Sequence, residues 1–504
     1  MSKGKVFLVG SGPGDPGLLT LKGKDLLEKA DVIIFDRLGG TENIEFAKKS
    51  AELIDVGKQS GLHNIPQEKI NEILVKKALE GKNVVRLKGG DPMVFGRGAE
   101  ELQALITENI DFEIVPGVSS AISGPTYAGI PITHRDFASS LAIITGHEAV
   151  GKPESSIPWS SLAEMDTILI LMGVGNLKKI TEKLLENGKS SDSPVAIIEN
   201  ATVGSQRVAE GTLANILGIA EKAKIKSPAL IVIGECVKLR EKFSWFERRP
   251  LFGKQFIITR PLEQSFELAS LLQAAGSKVF VCPTIRIEPI EPNPGLHNFF
   301  ENLPDFRDLI FTSVNGVRIF WKKLQELGKD ARILAGKNLI CIGPATAQET
   351  KKFGVNPDFV PERYVSEEFI PFFRGLKPAK VACLRAERAR DFLPLELKKM
   401  GYEVEIFPLY KTIFEDNIDS EVVDCLNANK IDGVVFTSSS TVEGFVAASD
   451  AKKIDREKIR GLAIGPITGE TCRQMGIQVL CESSEYTSKG LVNAITSFFN
   501  PLKK

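Results

Sequence analysis

Two glycine-rich turns are the first places in the sequence where chemistry could occur. The stretch VRLKGGDPMVFGRGAEE, Val85 to Glu101, puts two glycines and an Asp-Pro pair where a strand passes into a helix. Near the start, VFLVGSGPGDPG does the same with Gly10, Gly12 and Gly14. Glycine lets the backbone approach a ligand closely and permits a positive φ. Both turns therefore predict a ligand site built largely from main chain.

The turn near the start of the chain, in VFLVGSGPGDPG, departs from a dinucleotide-binding fingerprint in two ways. Its glycines are spaced GxGxG, and Pro13 removes an N–H where a pyrophosphate needs a donor. An unphosphorylated nucleoside that carries a sulfonium suits such turns, because it needs shape, carbonyl oxygens and a ribose partner. From the residues alone several adenosine-like ligands stay open, and so does a tight turn that binds nothing.

The composition narrows the class of protein. The chain has 504 residues, is 43% hydrophobic, and holds 64 Lys and Arg against 64 Asp and Glu. At about 150 residues per domain, this length predicts two to four domains. The balanced charge argues against a nucleic-acid partner. No apolar run approaches the roughly 20 residues of a membrane span, and MSKGKVFLVG leads directly into a strand rather than a signal peptide. We therefore expect a cytoplasmic protein with no membrane partner.

Seven cysteines and four histidines are too scattered to suggest a metal site. No two cysteines form a CxxC, and most lie in apolar segments, so we expect buried thiols without metal or disulfides. They are Cys236, Cys282, Cys341, Cys383, Cys425, Cys472 and Cys481.

Strand and helix patterns divide the chain near Arg248, where KLREKFSWFERRPLFGKQF separates a closing strand from an opening one. The first half, 1–248, alternates strands and helices, which predicts two α/β lobes of about 1–116 and 117–248 with a site between them. In the second half, 249–504, LIFTSVNGVRIF is repeated by VVFTSSSTVEGF, which predicts two similar parallel α/β domains.

Hydroxyl groups follow the repeated strands of the second half. FTSVNGV, FTSSSTV, GPAT and GPIT are each predicted to cap the next helix. Ligands of parallel sheets bind at the carboxyl ends of the strands, so these four turns should open on one cleft. Four helix caps without a ligand are the alternative interpretation.

The first half resembles the uroporphyrinogen-III C-methyltransferases over residues 1 to about 245. The resemblance is carried by GSGPGDPGLLTLKG, DVIIFDRLG, VVRLKGGDPMVFGRGAEE and AGIPITHRD, with Phe35 where tyrosine is usual and VSSA for the commoner ITSA. It implies that S-adenosylmethionine lies between the lobes. The contacts it implies are Pro13, Gly89, Gly90, Asp91, Val94, Ser119, Ser120, Met172 and Ala201.

The same resemblance implies a tetrapyrrole substrate with eight carboxylates and a homodimer formed through this half. It nominates Asp36 as proton acceptor and Lys58 as proton donor, although Asp36 could simply pair with Arg37. Basic side chains should line the substrate cavity, unless they are surface or capping charges. Besides Lys58, these candidates are Arg37, Arg86, Lys88, Arg97 and Arg135.

The second half resembles uroporphyrinogen-III synthase over residues 250 to about 498, through TRP, FTS, IGPAT, PLYKT, FTSSST, AIGPIT and YTSKGLV. The resemblance implies two α/β domains, 253–286 plus 409–498 and 287–408, joined by a ladder of CPTIRIEPI and FPLYKTI. The implied reaction closes hydroxymethylbilane into a ring with inversion of the last pyrrole and needs no cofactor. Tyr410 would hydrogen-bond the leaving oxygen. The supporting contacts would be Thr312, Ser313, Thr346, Ser438, Ser439 and Thr468.

Together the two resemblances predict a bifunctional enzyme of tetrapyrrole biosynthesis. The second half would make uroporphyrinogen III, and the first would add two methyl groups to give precorrin-2, on the way to sirohaem or cobalamin. Two alternatives stay open. The second half could be a non-catalytic two-domain ligand-binding module, such as an anion sensor, and the first could methylate RNA or a protein.

Overall fold

The computed structural model describes residues 3–36, 41–48, 50–57, 65–147, 156–291, 293–361, 368–416 and 418–500. The chain divides into two compact units. The first unit is Met1–Lys254 with Leu272–Lys278, and the second is Gln255–Leu271 with Val279–Lys504. The division after Lys254 lies close to the boundary predicted at Arg248.

The first lobe of the first unit is a parallel five-stranded sheet with the order β3-β2-β4-β1-β5. Its strands are β1 Val6–Gly10, β2 Val32–Phe35, β3 Glu52–Asp55, β4 Val84–Lys88 and β5 Phe112–Val115. Its helices are α1 Leu21–Lys29, α2 Gln67–Leu79 and α3 Gly98–Thr107.

Apolar runs explain why the central strands of this sheet form. Parallel strands covered on both faces read as continuous apolar segments, and β1 is VFLVG. Leu8 packs into the core on one face, and Val9 packs into the core on the other. Because all five strands are parallel, their carboxyl ends share one edge of the sheet, and both glycine-rich turns follow strands at that edge.

The second lobe is a mixed sheet with the order β6-β7-β10-β8-β9. Strands β6 and β7 are parallel, whereas β10 runs antiparallel to both β7 and β8, and β8 runs antiparallel to β9. The strands are β6 Leu141–Thr145, β7 Thr167–Leu171, β8 Pro194–Glu199, β9 Arg207–Thr212 and β10 Ala229–Ile233. The helices are α4 Ser120–Tyr127, α5 Trp159–Ala163, α6 Leu177–Glu186, α7 Ile216–Lys222 and α8 Arg240–Phe243.

The rest of the chain forms two further five-stranded sheets, with the orders β12-β11-β18-β19-β20 and β13-β17-β16-β14-β15. The strands are β11 Gln255–Ile258, β12 Lys278–Val281, β13 Ile285–Pro289, β14 Asp308–Phe311, β15 Asn338–Cys341, β16 Lys380–Ala386, β17 Glu403–Phe414, β18 Gly433–Phe436, β19 Arg460–Ala463 and β20 Gln478–Glu482. The helices are α9 Leu262–Ala274, α10 Pro294–Glu301, α11 Val314–Glu326, α12 Pro344–Lys352, α13 Phe369–Arg374, α14 Phe392–Lys399, α15 Ser420–Asn427, α16 Ser439–Ala451, α17 Pro466–Gln474 and α18 Ser488–Phe499.

The predicted two-stranded ladder is confirmed. Strand β17 pairs parallel with β16 over its first part and antiparallel with β13 from Tyr410 to Phe414. The register between β16 and β17 shifts between Arg385 and Ala386, so Tyr410 lies at an irregularity. Such bulges bend a strand and redirect its side chains. Tyr410 therefore occupies the point where β17 changes partners.

All seven cysteines are free, and burial raises the pKa of Cys282, Cys341, Cys383 and Cys472 to about 12. These four thiols stay protonated at neutral pH and serve as small core residues. In the described part of the chain, no helix is long and apolar enough to cross a bilayer.

Candidate functional site

Three glycines at the ends of β1, β4 and β5 bring backbone against backbone. A Cβ atom on Gly10 would lie 2.5 Å from the Cα of Gly117, and one on Gly117 would overlap the carbonyl oxygen of Gly90. The N–H of Gly90 donates to the carbonyl of Gly12 at 2.8 Å, and the reverse bond is 3.3 Å. Only glycine at positions 10 and 117 allows the two glycine-rich turns to meet this closely.

Asp91 fixes the turn that follows β4. One carboxylate oxygen accepts from the N–H of Met93 at 2.8 Å, and the other accepts from the N–H of Gly117 at 3.0 Å. The side chain therefore ties the turn to the segment after β5. Both oxygens of Asp91 already have partners, so its carboxylate acts first as a structural clamp.

Gly90 faces the start of helix α4. Its φ is +66°, and a Cβ there would lie 3.8 Å from the Cα of Ser119 and 3.9 Å from the N of Ser120. Ser119 caps α4, and its hydroxyl accepts from the N–H of Ala121 at 3.3 Å. A larger side chain at position 90 would therefore extend into the space beside the first residues of α4.

Three other residues have a positive φ and lie in or next to the predicted methyl-donor segments. Met172 has φ +55°, and the neighbours of Ala201 have φ +48° at Asn200 and +73° at Thr202. Positive φ is uncommon for residues other than glycine, and such strain concentrates at functional sites. Met172 also leaves 51% of its surface exposed, and Val94 leaves 38%. Both predicted contacts therefore offer apolar surface to a ligand.

The turn after β1 contacts the second lobe beside Ala201. A Cβ on Gly14 would lie 2.9 Å from Val203, and the N–H of Asp15 donates to the hydroxyl of Thr202 at 3.2 Å. The phenol of Tyr127 donates to Asp15 at 2.7 Å. The pKa of Tyr127 is raised, mainly by burial and secondly by the Asp15 carboxylate. The segments of Pro13 and Ala201 are therefore brought together, as a site between the lobes requires.

A buried group of charges lies under the turn that follows β4. The Glu101 Oε1 atom accepts from Arg86 Nε at 3.1 Å, from Lys88 Nζ at 2.8 Å and from Gln67 Nε2 at 3.2 Å. Arg86 also reaches Asp36 through Nη2 at 3.2 Å. Glu101 is 0% exposed, and within the described residues its Oε2 atom has no partner.

Arg86 and Lys88, predicted as substrate contacts, are both buried in this arrangement. Strand β4 lies inside the sheet between β2 and β1, and residues two apart on a strand point to the same side. Both cations therefore point beneath α3, where each contacts the carboxylate of Glu101. Burial, followed by the charge of Arg86, lowers the pKa of Lys88.

The remaining charged candidates of the first half lie nearer to solvent. Asp36 keeps 28% of its side chain exposed. Arg97 precedes α3 with φ +57° and pairs with Glu100 at 2.6 Å. Arg135 is exposed in the turn between His134 and Ala138. The predicted candidates Arg37 and Lys58 lie outside the described residues.

In the second unit, Tyr410 is buried, and its hydroxyl lies 2.8 Å from the hydroxyl of Ser313. Ser313 caps α11 by accepting from the N–H of Gly316 at 3.0 Å, as predicted. Burial raises the pKa of Tyr410, against the opposing effect of hydrogen bonds from Ser313 and Asn315. The phenol therefore stays neutral and can act as a hydrogen-bond donor.

The other predicted hydroxyl groups of the second unit differ in whether they cap a helix. Ser438 caps α16 in a capping box with Thr441, whereas the hydroxyl of Ser439 lies 2.7 Å from that of Thr471. Thr346 and Thr468 are not caps, which corrects that expectation. Glycine holds the cap position of both α12 and α17, and proline begins each helix. The threonines consequently fall at the third helical position, where they are buried. Thr312 is partly buried at the end of β14.

Three polar residues near these sites are not among the predicted site residues: Glu101, Gln264 and Asn315. Glu101 collects the charges of β4, although it was only one of several acids in its motif. Gln264, at the start of α9, donates to the Oδ1 atom of Asn315 at 2.8 Å. Glu101 and Asn315 lie within motifs of the sequence, but their contacts depend on the fold and no local spacing indicates them.

Comparisons with known proteins agree with this division. The family profile described as Tetrapyrrole (Corrin/Porphyrin) Methylases matches residues 5–217, and the profile described as Uroporphyrinogen-III synthase HemD matches residues 267–493. The porphyrin biosynthesis protein HemD of Ruminiclostridium josui is 41% identical over 97% of this chain and 97% of its own length.

Two further relatives match the first half alone. The S-adenosyl-L-methionine-dependent uroporphyrinogen III methyltransferase of Methanosarcina barkeri is 54% identical over 47% of this chain and 94% of its own length. The crystal structure of uroporphyrin-III C-methyl transferase from Thermus thermophilus with S-adenyl homocysteine is 37% identical, with a TM-score of 0.41, and covers 47% of this chain and 100% of that chain. The chain therefore belongs to the family of fused porphyrin biosynthesis proteins, with a tetrapyrrole methylase in its first half and a uroporphyrinogen-III synthase in its second.

Proposed function

We propose that the chain converts hydroxymethylbilane to uroporphyrinogen III and then adds two methyl groups from S-adenosylmethionine to give precorrin-2. The match to a relative along 97% of the chain carries this proposal, because that relative covers both halves together. Coupling the two steps in one chain is chemically sensible, since the product of the second half is the substrate of the first.

The glycine-rich turns support a methyl-donor site in the first unit. The N-terminus of α4 and the open side of Gly90 leave space that a single Cβ would begin to fill. The exposed apolar surface of Val94 and Met172 suits the apolar parts of a nucleoside ligand. When bound, S-adenosylmethionine supplies an electrophilic methyl group. The residues that would hold it are Pro13, Gly89, Gly90, Asp91, Val94, Ser119, Ser120, Met172 and Ala201.

Asp36 is suited to accept the proton that leaves the substrate during methylation. Arg86 holds one carboxylate oxygen of Asp36 at 3.2 Å, while the side chain stays partly exposed at the end of β2. A fixed carboxylate within reach of the substrate is what general base catalysis requires. Lys58 would return a proton. Much of the remaining rate enhancement would come from aligning the two reactants.

The substrate's carboxylates need cations that reach solvent. Arg97 and Arg135 meet this condition, and Arg37 is proposed on family resemblance alone. Arg86 and Lys88 would act from below the turn by holding Asp36 and Glu101. We further propose that the protein is a cytoplasmic homodimer, formed through the methyltransferase half, whose product leads towards sirohaem or cobalamin.

In the second half, Tyr410 would assist departure of the substrate's hydroxyl group. Its phenol is neutral and already paired with Ser313, so it can donate to a leaving oxygen after exchanging that partner. Thr312, Ser438 and Ser439 lie at the carboxyl ends of β14 and β18, where such sheets bind ligands. Thr346 and Thr468 are buried within their helices and would act by supporting these turns.

A two-stage incubation tests the proposal. The full chain is given hydroxymethylbilane alone, and the isomers of uroporphyrinogen are separated, after which S-adenosylmethionine is added. We expect the inverted isomer in the first stage and a dimethylated product in the second. If only the symmetrical isomer forms while supplied uroporphyrinogen III is still methylated, the second half is the non-catalytic binding module instead.

A further inference from the structure

Arg260 is a cation without a partner at the end of β11. It is partly buried, and within the described residues no hydrogen bond or ion pair engages its guanidinium. The other described arginines of the second unit that are not exposed both have carboxylate partners. Arg307 pairs with Asp308 at 2.7 Å, and Arg385 pairs with Asp391 at 2.6 Å. Arg260 therefore breaks the rule that a buried charge is paired.

The charges around Arg260 do not neutralise it. Burial lowers its pKa, Glu267 raises it, and Arg318 lowers it again. Glu267 accepts a hydrogen bond from Ser488 at 3.0 Å, and Arg318 is held by Glu349 at 2.7 Å. Within the described residues neither Glu267 nor Glu349 forms an ion pair with Arg260, so its guanidinium remains available to an incoming anion.

Contacts connect Arg260 to the Tyr410 site. Arg260 lies two residues before α9, whose residue Gln264 donates to Asn315 at 2.8 Å. Asn315 in turn influences the hydroxyl of Tyr410, which lies beside Ser313. Strand β11 also ends beside β18, whose turn carries Ser438. Arg260 therefore follows a strand that lies beside β18, and the helix after it contacts the segment that carries Ser313.

We propose that Arg260 binds a peripheral carboxylate of the acidic linear tetrapyrrole that the second half takes up. The inference rests on the proposed ring-closing activity of that half. Arginine suits this task because its planar fork forms two parallel hydrogen bonds with a carboxylate. A guanidinium kept unpaired in the free protein needs no internal ion pair to be broken before substrate enters. Arg260 is therefore a substrate-binding residue that affects affinity more than ring closure itself.

The test compares Arg260→Gln and Arg260→Lys in the full chain, with Arg332→Gln as the control. Arg332 is in the same unit, and its side chain is 91% exposed. We expect Arg260→Gln to raise the KM for hydroxymethylbilane by roughly tenfold to a hundredfold with little change in kcat, because a charged hydrogen bond is lost. Arg260→Lys should recover part of the affinity, and Arg332→Gln should leave KM unchanged.

Thermal unfolding separates binding from a structural role. Removing an unpaired buried charge should leave the Tm of Arg260→Gln equal to or above that of the unsubstituted chain. A lower Tm, or failure to fold, would show that the guanidinium supports the structure and would overturn the proposal. An unchanged KM in an active, folded Arg260→Gln chain would overturn it too. If the unsubstituted chain forms no inverted isomer from hydroxymethylbilane, the proposed function itself fails, and this inference fails with it.

Discussion

The two units differ in how polar groups near their strand ends are paired. In the first, Arg86 and Lys88 are buried inside the sheet and share the single carboxylate of Glu101. In the second, the proposed reacting group, Tyr410, is paired with the uncharged hydroxyl of Ser313. A network of charges holds its members in one place, because breaking any pair leaves a buried charge uncompensated. A pair of hydroxyls exchanges partners at lower cost.

This contrast fits the two reactions that we propose. Methyl transfer needs two reactants held in line, which a rigid turn above a fixed charge network provides. Ring closure with inversion moves a pyrrole through a rearrangement, and hydroxyls that can change hydrogen-bond partners suit a substrate whose shape changes. The comparison predicts that substitutions in the turn and charge network of the first unit act on binding and stability, whereas loss of the Tyr410 hydroxyl in the second unit acts on rate.

The largest effect should come from Gly90→Val. The new side chain would extend toward Ser119 and Ser120 from a φ of +66°, which a β-branched residue rarely adopts. We expect S-adenosylmethionine binding to fall below detection by isothermal titration calorimetry. Gly218→Val is the matched control, because a Cβ there would have no neighbour within 4 Å. Unchanged affinity in a folded Gly90→Val chain would remove this turn from the site.

Glu101→Gln should cost the most stability among charge substitutions. It leaves Arg86 and Lys88 without their shared anion, and breaking a buried ion pair costs about 3 kcal/mol or more. Glu100→Gln, one residue away, removes only an exposed pair with Arg97 and should cost about 1 kcal/mol or less. Urea unfolding of both variants measures the difference. Equal losses would mean that the buried network is not what stabilises this lobe.

Apolar runs mark the central strands of the first unit, but two edge strands have none. Strands β3 and β9 lie at sheet edges, and both mix exposed and partly buried residues, so neither shows a continuous apolar run. The central strands, such as VVRLK, were recognisable because both faces are covered.

The candidate site likewise contains features that could be predicted from the sequence and features that could not. Glycine turns could be predicted because a positive φ, as at Gly12 and Gly90, is a property of the local backbone. The burial of Arg86 and Lys88 could not be predicted, since it depends on the sheet order and on a glutamate contributed by helix α3. For the same reason Arg260 received no role from the sequence. Its lack of a partner is a property of the folded surroundings.

Tyr410→Phe tests the exchange of partners in the second unit. The change keeps the buried ring and removes the hydroxyl, so ring closure should slow by about tenfold, equivalent to about 1.4 kcal/mol. Uncaptured hydroxymethylbilane should then close without inversion, and the symmetrical isomer should accumulate.

Tyr402→Phe is the matched control for this substitution. Tyr402 is also buried in the second unit, and its hydroxyl donates to the carbonyl of Phe373 at 2.7 Å. The control should lose about 1 kcal/mol of stability without loss of rate. Methylation of supplied uroporphyrinogen III should be unaffected in both variants. If Tyr410→Phe produces the inverted isomer at full speed, the phenol has no part in the reaction.

The smallest effect concerns the pH dependence of stability caused by Lys88. Its pKa in the folded chain is lowered from 10.5, chiefly by burial and then by Arg86. Between the lowered pKa and 10.5 the unfolded chain holds this proton more often than the folded chain does, so stability rises with pH in that window. Below the folded pKa the amine is charged in both states, and the full cost of burying it applies.

Lys88→Met removes this titration and leaves Arg86 with Glu101. We therefore expect the free energy of unfolding of the unsubstituted chain, minus that of Lys88→Met, to increase as pH rises towards 10.5. The subtraction cancels the ionisation of tyrosines and cysteines common to both chains. Its slope cannot exceed about 1.4 kcal/mol per pH unit, the limit for a single proton. A difference that stays flat across the alkaline range would show that Glu101 compensates Lys88 completely, and the charge network would then be as well matched as the hydroxyl pair of the second unit.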